Sequence, residues 1–300
     1  MSALLVDLTP AHIAQFQADG FLILERFVPP EGVAAVRPRL EPLFHGDFPT
    51  GIYPDEWYWR PGLSRMDVTR EMCNGWKCDP AVAGLVLSSE VGRVTATLAG
   101  WSGARIGQDS LWVKPPNATE VALHQDGAYI DYLDPPAMMT CWIPLDDASL
   151  ADGTLVYVRG SHRWPLVDVA GEFHAPQKDY RWAMLQAAAA AGVPEPELVV
   201  VNIPAGGVAI HHGRTWHGLA RTTRTQGMFH SIGIHTIPAA ASFHPHNPPG
   251  YIYGRYKRQG DVSLDESFFP ILWTQTGYRT PWLADYCPDW FRPAEVPAAA

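Results

Sequence analysis

The chain has 300 residues, of which 47% are apolar and 18% charged, and a formal net charge of −9. That is enough material for one large domain with a sizeable core, and the acidic balance argues against a nucleic-acid-binding surface, which needs a clustered basic face. No basic N-terminal region precedes an apolar stretch, and no apolar run reads as a membrane span, so a cytoplasmic protein is expected.

Thr9-Pro10 is a helix start, with Thr9 as N-cap and Pro10 at the first helical position, and Gly20 is its stop signal. Phe21 to Leu24 then reads as a buried strand. A second helix is expected from Pro29 to Phe44, kinked or ended by Pro38 and Pro42. The aromatic stretch from Tyr53 to Arg60 has no clean period and suits core packing or a lid better than a ligand cage. Asp79-Pro80 opens a further helix, expected to continue to about Leu98. Cys73, Cys78, Cys141 and Cys287 form neither a dense disulfide framework nor a zinc site, so reduced, mostly buried thiols are expected.

From Trp101 the pattern turns to strands. Alternation puts Gln108, Ser110, Trp112 and Lys114 in one row on one face. His124 and Asp126 are two apart, so in an extended segment both face the same side. A His-x-Asp pair joined much later by one His is the ligand order of a facial triad, which holds Fe(II) on one side and leaves the other open. Three histidines lie close together in the later segment, His211, His212 and His217. Between the two segments, apolar runs broken by Asp146-Asp147 and Asp152-Gly153 read as short strands and turns. They suit a closed, double-sheet β core of the jelly-roll kind.

Four ordered motifs carry a resemblance: His124-x-Asp126; Trp142-Ile143-Pro144-Leu145-Asp146; Asp152-Gly153-Thr154-Leu155 with Arg159-Gly160-Ser161-His162; and His217-Gly218. Together they resemble the phytanoyl-CoA dioxygenase family of Fe(II)/2-oxoglutarate oxygenases, which includes ectoine hydroxylases, over the chain from Asp19 to about Pro238. The resemblance implies a mainly β fold with flanking helices, a double-stranded β-helix (jelly roll, cupin-like), as a single domain over residues 1–300. It divides into a helical part to about 100, a core from 101 to 240 and an extension from 241 to 300. It implies His124, Asp126 and His217 as metal ligands, His211 and His212 as packing or supporting groups, and Fe(II), 2-oxoglutarate and O2 as cofactor and co-substrates. Gln108, Thr140, Trp142 and Lys114 are its candidates for lining the 2-oxoglutarate pocket. In halogenating relatives the carboxylate position is Gly or Ala, so Asp126 implies hydroxylation or desaturation, with succinate and CO2 as co-products.

One departure stands out. The family carries an Arg about eleven residues past the distal His, where it clamps the far carboxylate of 2-oxoglutarate, and the alignment puts Phe229 there. Arg221, Arg224 and Lys114 are the nearest replacement cations, and His230 could serve only if protonated. An iron oxygenase independent of 2-oxoglutarate and a non-catalytic jelly-roll binding protein are therefore the alternatives. Trp112, Tyr129 and Tyr132 would suit a ring-bearing or apolar small-molecule substrate, with neither nucleic acid nor membrane as partner. The stretch from Pro165 to Glu197 reads as an insertion with a helix in its alanine run. Phe243 to Pro249 reads as a loop, and Phe268 to Trp273 as a segment that packs back on the core.

Overall fold

In the computed structural model, which describes residues 6–167 and 179–287, four helices line up before the main strands. The first, α1 (Pro10–Asp19), is capped as its sequence predicts: the Thr9 side chain accepts the His12 N–H, and Gly20 ends the helix in the left-handed conformation. Helix α2 (Pro30–Phe44) runs through both Pro38 and Pro42 without ending. Val36, Leu40, Leu43 and Phe44 are fully buried along it, and that burial outweighs the backbone hydrogen bonds the prolines forgo. The single helix expected from Pro80 is two, α3 (Pro80–Val86) and α4 (Ser89–Ala99). Ser88 makes the break, its side chain accepting the Val91 N–H as an N-cap. This stretch, Pro80–Ala99, is long and apolar enough to cross a membrane, yet 78% of its most apolar window is buried inside the fold.

The strands in chain order are β1 (Phe21–Leu24), β2 (Glu56–Trp57), β3 (Arg70–Cys73), β4 (Gly103–Lys114), β5 (Val121–His124), β6 (Leu133–Asp134), β7 (Met139–Pro144), β8 (Leu155–Val158), β9 (Leu198–Val200), β10 (Val208–His212), β11 (His217–Leu219), β12 (Phe229–Pro238), β13 (Ser242–Phe243) and β14 (Ile271–Thr274). The large sheet has the order β1-β10-β7-β12-β4-β3-β2, with β14 also on β4, and the small sheet the order β5-β11-β8-β9. β14 brings the C-terminal segment back onto the core, as its apolar run suggests.

The large sheet is buried on both faces. Leu111, Val113, Cys141, Ile143, Ile210, Ile232 and Ile234 join the core under α2, α3 and α4. Their strand neighbours Trp142, Ala209 and Phe229 point the other way and meet Leu155, Tyr157 and Leu219 of the small sheet. Two antiparallel sheets thus face each other across a shared interior, the double-stranded β-helix that the family resemblance implied.

Helix α5 (Trp182–Ala190) lies in the inserted stretch and holds most of its alanine run; residues 168–178 of the insertion and the terminal Pro-Ala tail lie outside the described residues. Met184, Ala187 and Ala188 pack on Leu123 and Trp216. The insertion therefore braces the backs of the two segments that carry His124 and His217.

Candidate metal centre and its cavity

Strand register decides which side chains meet. Opposite one another across β10, β7, β12 and β4 stand His211, Thr140, His235 and Gln108, and one level deeper Ala209, Trp142, Gly233 and Ser110. In the small sheet, His217 on β11 pairs directly with His124 on β5. Such cross-strand partners share a face, so both imidazoles enter the interior. The backbone leaves β5 at Gln125, and Asp126 opens a short 3-10 turn that swings its carboxylate between them.

The result is a compact centre. Asp126 Oδ1 is 3.4 Å from His124 Nε2 and 3.4 Å from His217 Nε2. One ligand atom from each of the three residues lies within 4.8 Å of the others, and no other group of three or more such side chains is found among the described residues. His124 Nδ1 lies 2.8 Å from the Ala122 carbonyl and His217 Nδ1 2.8 Å from the Thr215 carbonyl. A carbonyl only accepts, so each Nδ1 carries the proton and each Nε2 offers a lone pair to the shared centre. Two neutral nitrogens and one anionic oxygen on one side form the donor set a non-haem iron takes.

The carboxylate is held from behind. Thr140 Oγ1 donates to Asp126 Oδ2 at 2.8 Å, and His211 Nε2 stands 3.2 Å from the same oxygen. Burial, and then the neighbouring His217, push the His211 ring down to about 3, so it is neutral and its Nε2–H faces the carboxylate. Its Nδ1 must then accept, and the Tyr157 hydroxyl donates to it at 2.9 Å. Because Thr140 spends its only proton on Asp126, His235 Nδ1–H donates to the Thr140 oxygen at 2.9 Å. Burial pushes the Asp126 carboxyl up, but the imidazoles of His217, His124 and His211 outweigh it and keep the group well below the usual carboxylate range. With Oδ2 occupied, Oδ1 alone is left for a metal.

The other motif residues explain themselves structurally. A Cβ at Gly218 would lie 2.6 Å from the Val121 carbonyl oxygen and 3.0 Å from that of Ala122, so only glycine lets β11 approach β5. Ser161 Oγ accepts the Trp216 N–H at 2.8 Å and fixes the approach to His217. Asp146 sits on the helix side, where Arg37 and His230 bond to it at 2.6 and 2.7 Å.

A cavity of about 880 Å³ opens from the metal centre, and Gln108, Trp112, Tyr129, Tyr132, Thr140 and Trp142 all stand in its wall. The Gln108 carbonyl accepts the Tyr253 hydroxyl, and its amide donates to Ser110 at 3.1 Å. The Trp142 indole N–H is buried with no acceptor among the described residues. Phe229 is 1% exposed and lies 6.1 Å from Trp142, centroid to centroid, at the apolar end of this interior.

The sequence's candidate cations stand elsewhere, and among the described residues no Lys or Arg lines the cavity. Arg221 pairs with Glu120 at 3.0 Å and Arg224 with Asp152 at 3.0 Å. His230 points to the opposite face of β12, toward Asp146 and Glu41, because it is out of phase with Phe229 along the strand. Lys114, paired in register with Phe229, donates to the Ala220 carbonyl at 2.7 Å. Burial pushes its ammonium down to about 7 from an ordinary value of 10.5. Between those values the unfolded chain holds a proton here that the folded chain releases, so this group's contribution makes stability rise with pH. The stability of the native protein minus that of Lys114→Met should climb between about pH 7 and 9 in urea titrations. A difference that stays flat would show the ammonium fully charged in the fold.

Among the wall residues the sequence reading did not place there are His235, Glu71 and Tyr253, while Tyr58 comes from the aromatic stretch it read as core packing or a lid. His235 had a signal, since it stands in phase with Phe229 on one strand. Glu71 sits on a four-residue strand with no alternating pattern, and Tyr253 enters from the C-terminal segment, so neither had one.

The sequence profile of the phytanoyl-CoA dioxygenase (PhyH) family matches residues 16–228. The chain belongs to that family. Its members are iron- and 2-oxoglutarate-using oxygenases, and the triad of His124, Asp126 and His217 is the PhyH candidate iron site here. A phytanoyl-CoA dioxygenase of Arabidopsis thaliana is 21% identical over 269 residues, covering 77% of this chain and 89% of that one. Among solved structures, the non-heme alpha ketoglutarate dependent carbocyclase SnoK from nogalamycin biosynthesis superposes with a TM-score of 0.67 at 22% identity, covering 90% of this chain and 99% of SnoK. EctD from S. alaskensis with bound Fe gives 0.66 at 18% identity, covering 86% and 87%. At such identities the structures establish the shared PhyH fold. The profile match ends one residue before β12, the strand that begins at Phe229.

Proposed function

We propose that this PhyH-family chain binds Fe(II) at His124, Asp126 and His217, uses 2-oxoglutarate and O2, and hydroxylates or desaturates a small-molecule metabolite, releasing succinate and CO2. The reading is carried by one observation: a buried carboxylate oxygen facing two imidazole nitrogens whose opposite nitrogens are tied to backbone carbonyls. Iron, when bound, supplies the activation of dioxygen. The chain supplies position and dryness. Thr140, His211 and Tyr157 hold Asp126 in a one-oxygen geometry, and apolar side chains of both sheets keep water from the deep end. The Asp126 carboxylate favours hydroxylation over halogenation.

For the far carboxylate of 2-oxoglutarate, the unpartnered Trp142 indole N–H and the Gln108 amide are the best-supported contacts, since Lys114, Arg221 and Arg224 are committed outside the wall. A second reading, an iron oxygenase that takes no 2-oxoglutarate, draws on the same absence of Lys and Arg from the cavity wall among the described residues. Anaerobic addition of Fe(II) and then 2-oxoglutarate separates the two. A visible metal-to-ligand charge-transfer band supports the first reading, iron binding without the band supports the second, and failure to bind iron overturns both. Free Cys73, Cys78 and Cys141, all buried, suit a reducing, cytoplasmic setting.

A further inference from the structure

The middle of β12 holds a glycine that the packing of the chain does not require. Gly233 lies inside the large sheet, paired with Trp142 of β7 on one side and Ser110 of β4 on the other. A glycine there weakens the strand and often marks the close approach of a ligand or of another backbone. No backbone comes close. A Cβ at Gly233 would meet His235 Nε2 at 3.7 Å, Trp112 Nε1 at 3.8 Å and the Ser110 carbonyl oxygen at 3.9 Å, all ordinary contacts, and its φ lies outside the left-handed region. The missing side chain leaves a notch in the cavity wall, beside the His235 ring.

His235 links that notch to the metal centre. Its Nδ1–H donates to Thr140 Oγ1, which in turn donates to Asp126 Oδ2. A neutral imidazole that donates from Nδ1 accepts at Nε2, and burial lowers the ring's affinity for a second proton. No described residue donates to Nε2, since the ring's contacts run through Nδ1. An acceptor left bare in a mostly apolar wall calls for a donor. The co-substrate cannot be that donor, because a carboxylate has no proton to give. Its proposed contact Trp142 stands one row deeper than His235, with its ring 6.1 Å from Phe229.

We infer that the substrate is an uncharged molecule with a hydroxyl group that seats over Gly233 and donates to His235 Nε2, and that this contact steadies Asp126 through Thr140. The inference rests on the reading of Fe(II) at the triad. A hydroxyl on Nε2 keeps the ring's proton on Nδ1, and so keeps the Thr140 proton on Asp126 Oδ2, with Oδ1 alone turned to the metal. An ammonium group would have to shed its water against a neutral acceptor, which is costly, and an ether has no proton to donate.

Phenethyl alcohol and its methyl ether, titrated by calorimetry into metal-free protein and into anaerobic protein loaded with Fe(II), test this. The alcohol should bind about fivefold more tightly, the worth of one net hydrogen bond. Gly233→Ala, whose added methyl meets only ordinary contacts, should fold, fill the notch and erase the preference. His235→Asn keeps an N–H within reach of Thr140 but loses the acceptor, so it should erase the preference and hold iron as the native protein does. His235→Phe loses both groups and should also bind iron several-fold more weakly. Equal binding of the two probes, no binding of either, or a preference that survives Gly233→Ala or His235→Phe each overturns the substrate inference, and native iron affinity in His235→Phe overturns the link to Asp126. If His235→Phe fails to fold by circular dichroism, Gly233→Ala and His235→Asn decide. Failure of the native protein to bind Fe(II) would sink the triad reading, while the probe series on metal-free protein still tests His235.

Discussion

Asp126→Ala should lose iron. In a buried site, removing the anionic partner costs about 3–5 kcal/mol, which is about two to four orders of magnitude in affinity. The loss is compounded because Thr140 and His211 both aim protons at the missing oxygen. Metal content after dialysis should fall to background, and oxygen consumption with it. Asp126→Asn separates the ligand role from the structural one: its amide oxygen still accepts from Thr140 and His211, so its melting temperature should stay nearer the native value while iron is lost all the same. Iron held at native stoichiometry by Asp126→Ala would refute the triad.

Gly218→Ala should damage the same centre without touching a ligand. The atoms that a Cβ would strike are the carbonyl oxygens of Val121 and Ala122, which are backbone and cannot swing aside as a side chain could. β11 and β5 would have to part, and they carry His217 and His124. We expect a loss of about 1–3 kcal/mol in stability, a fall of about 2–4 °C in melting temperature for each, and iron affinity lower by about tenfold or more. Gly254→Ala, where the nearest contact would be an ordinary 3.6 Å, serves as the control and should change neither. A Gly218→Ala protein with native melting and native iron affinity would show that the strands have room to spare.

The His124–Asp126 pair was legible because its spacing encodes its geometry: two residues apart in an extended segment means one face. The choice of His217 over His211 and His212 came from the family resemblance instead. The row of Gln108, Ser110 and Trp112 was legible for the same reason, since period-two alternation survives folding. The two prolines in α2 misled because local backbone cost was weighed without the burial of Val36, Leu40, Leu43 and Phe44. The break at Ser88 passed unnoticed because a cap is visible only once the chain is known to leave the helix there. His230 was an equally local error: beside Phe229 in sequence, it is on the other face of the sheet.

By itself, then, the sequence determined the sheet-and-helix character of the chain, which depends on residue identity and short-range period, and with the family resemblance it supplied the candidate ligand set and the expectation that Phe229 stands where an arginine is usual. Only the tertiary structure decided what surrounds the candidate iron site. The Tyr157–His211–Asp126 chain joins β8, β10 and the turn after β5, and the cavity gathers Glu71, His235 and Tyr253 from positions 18 to 182 residues apart. Which of these meet depends on strand order and register, and those are set by how two sheets close on one another rather than by any local pattern.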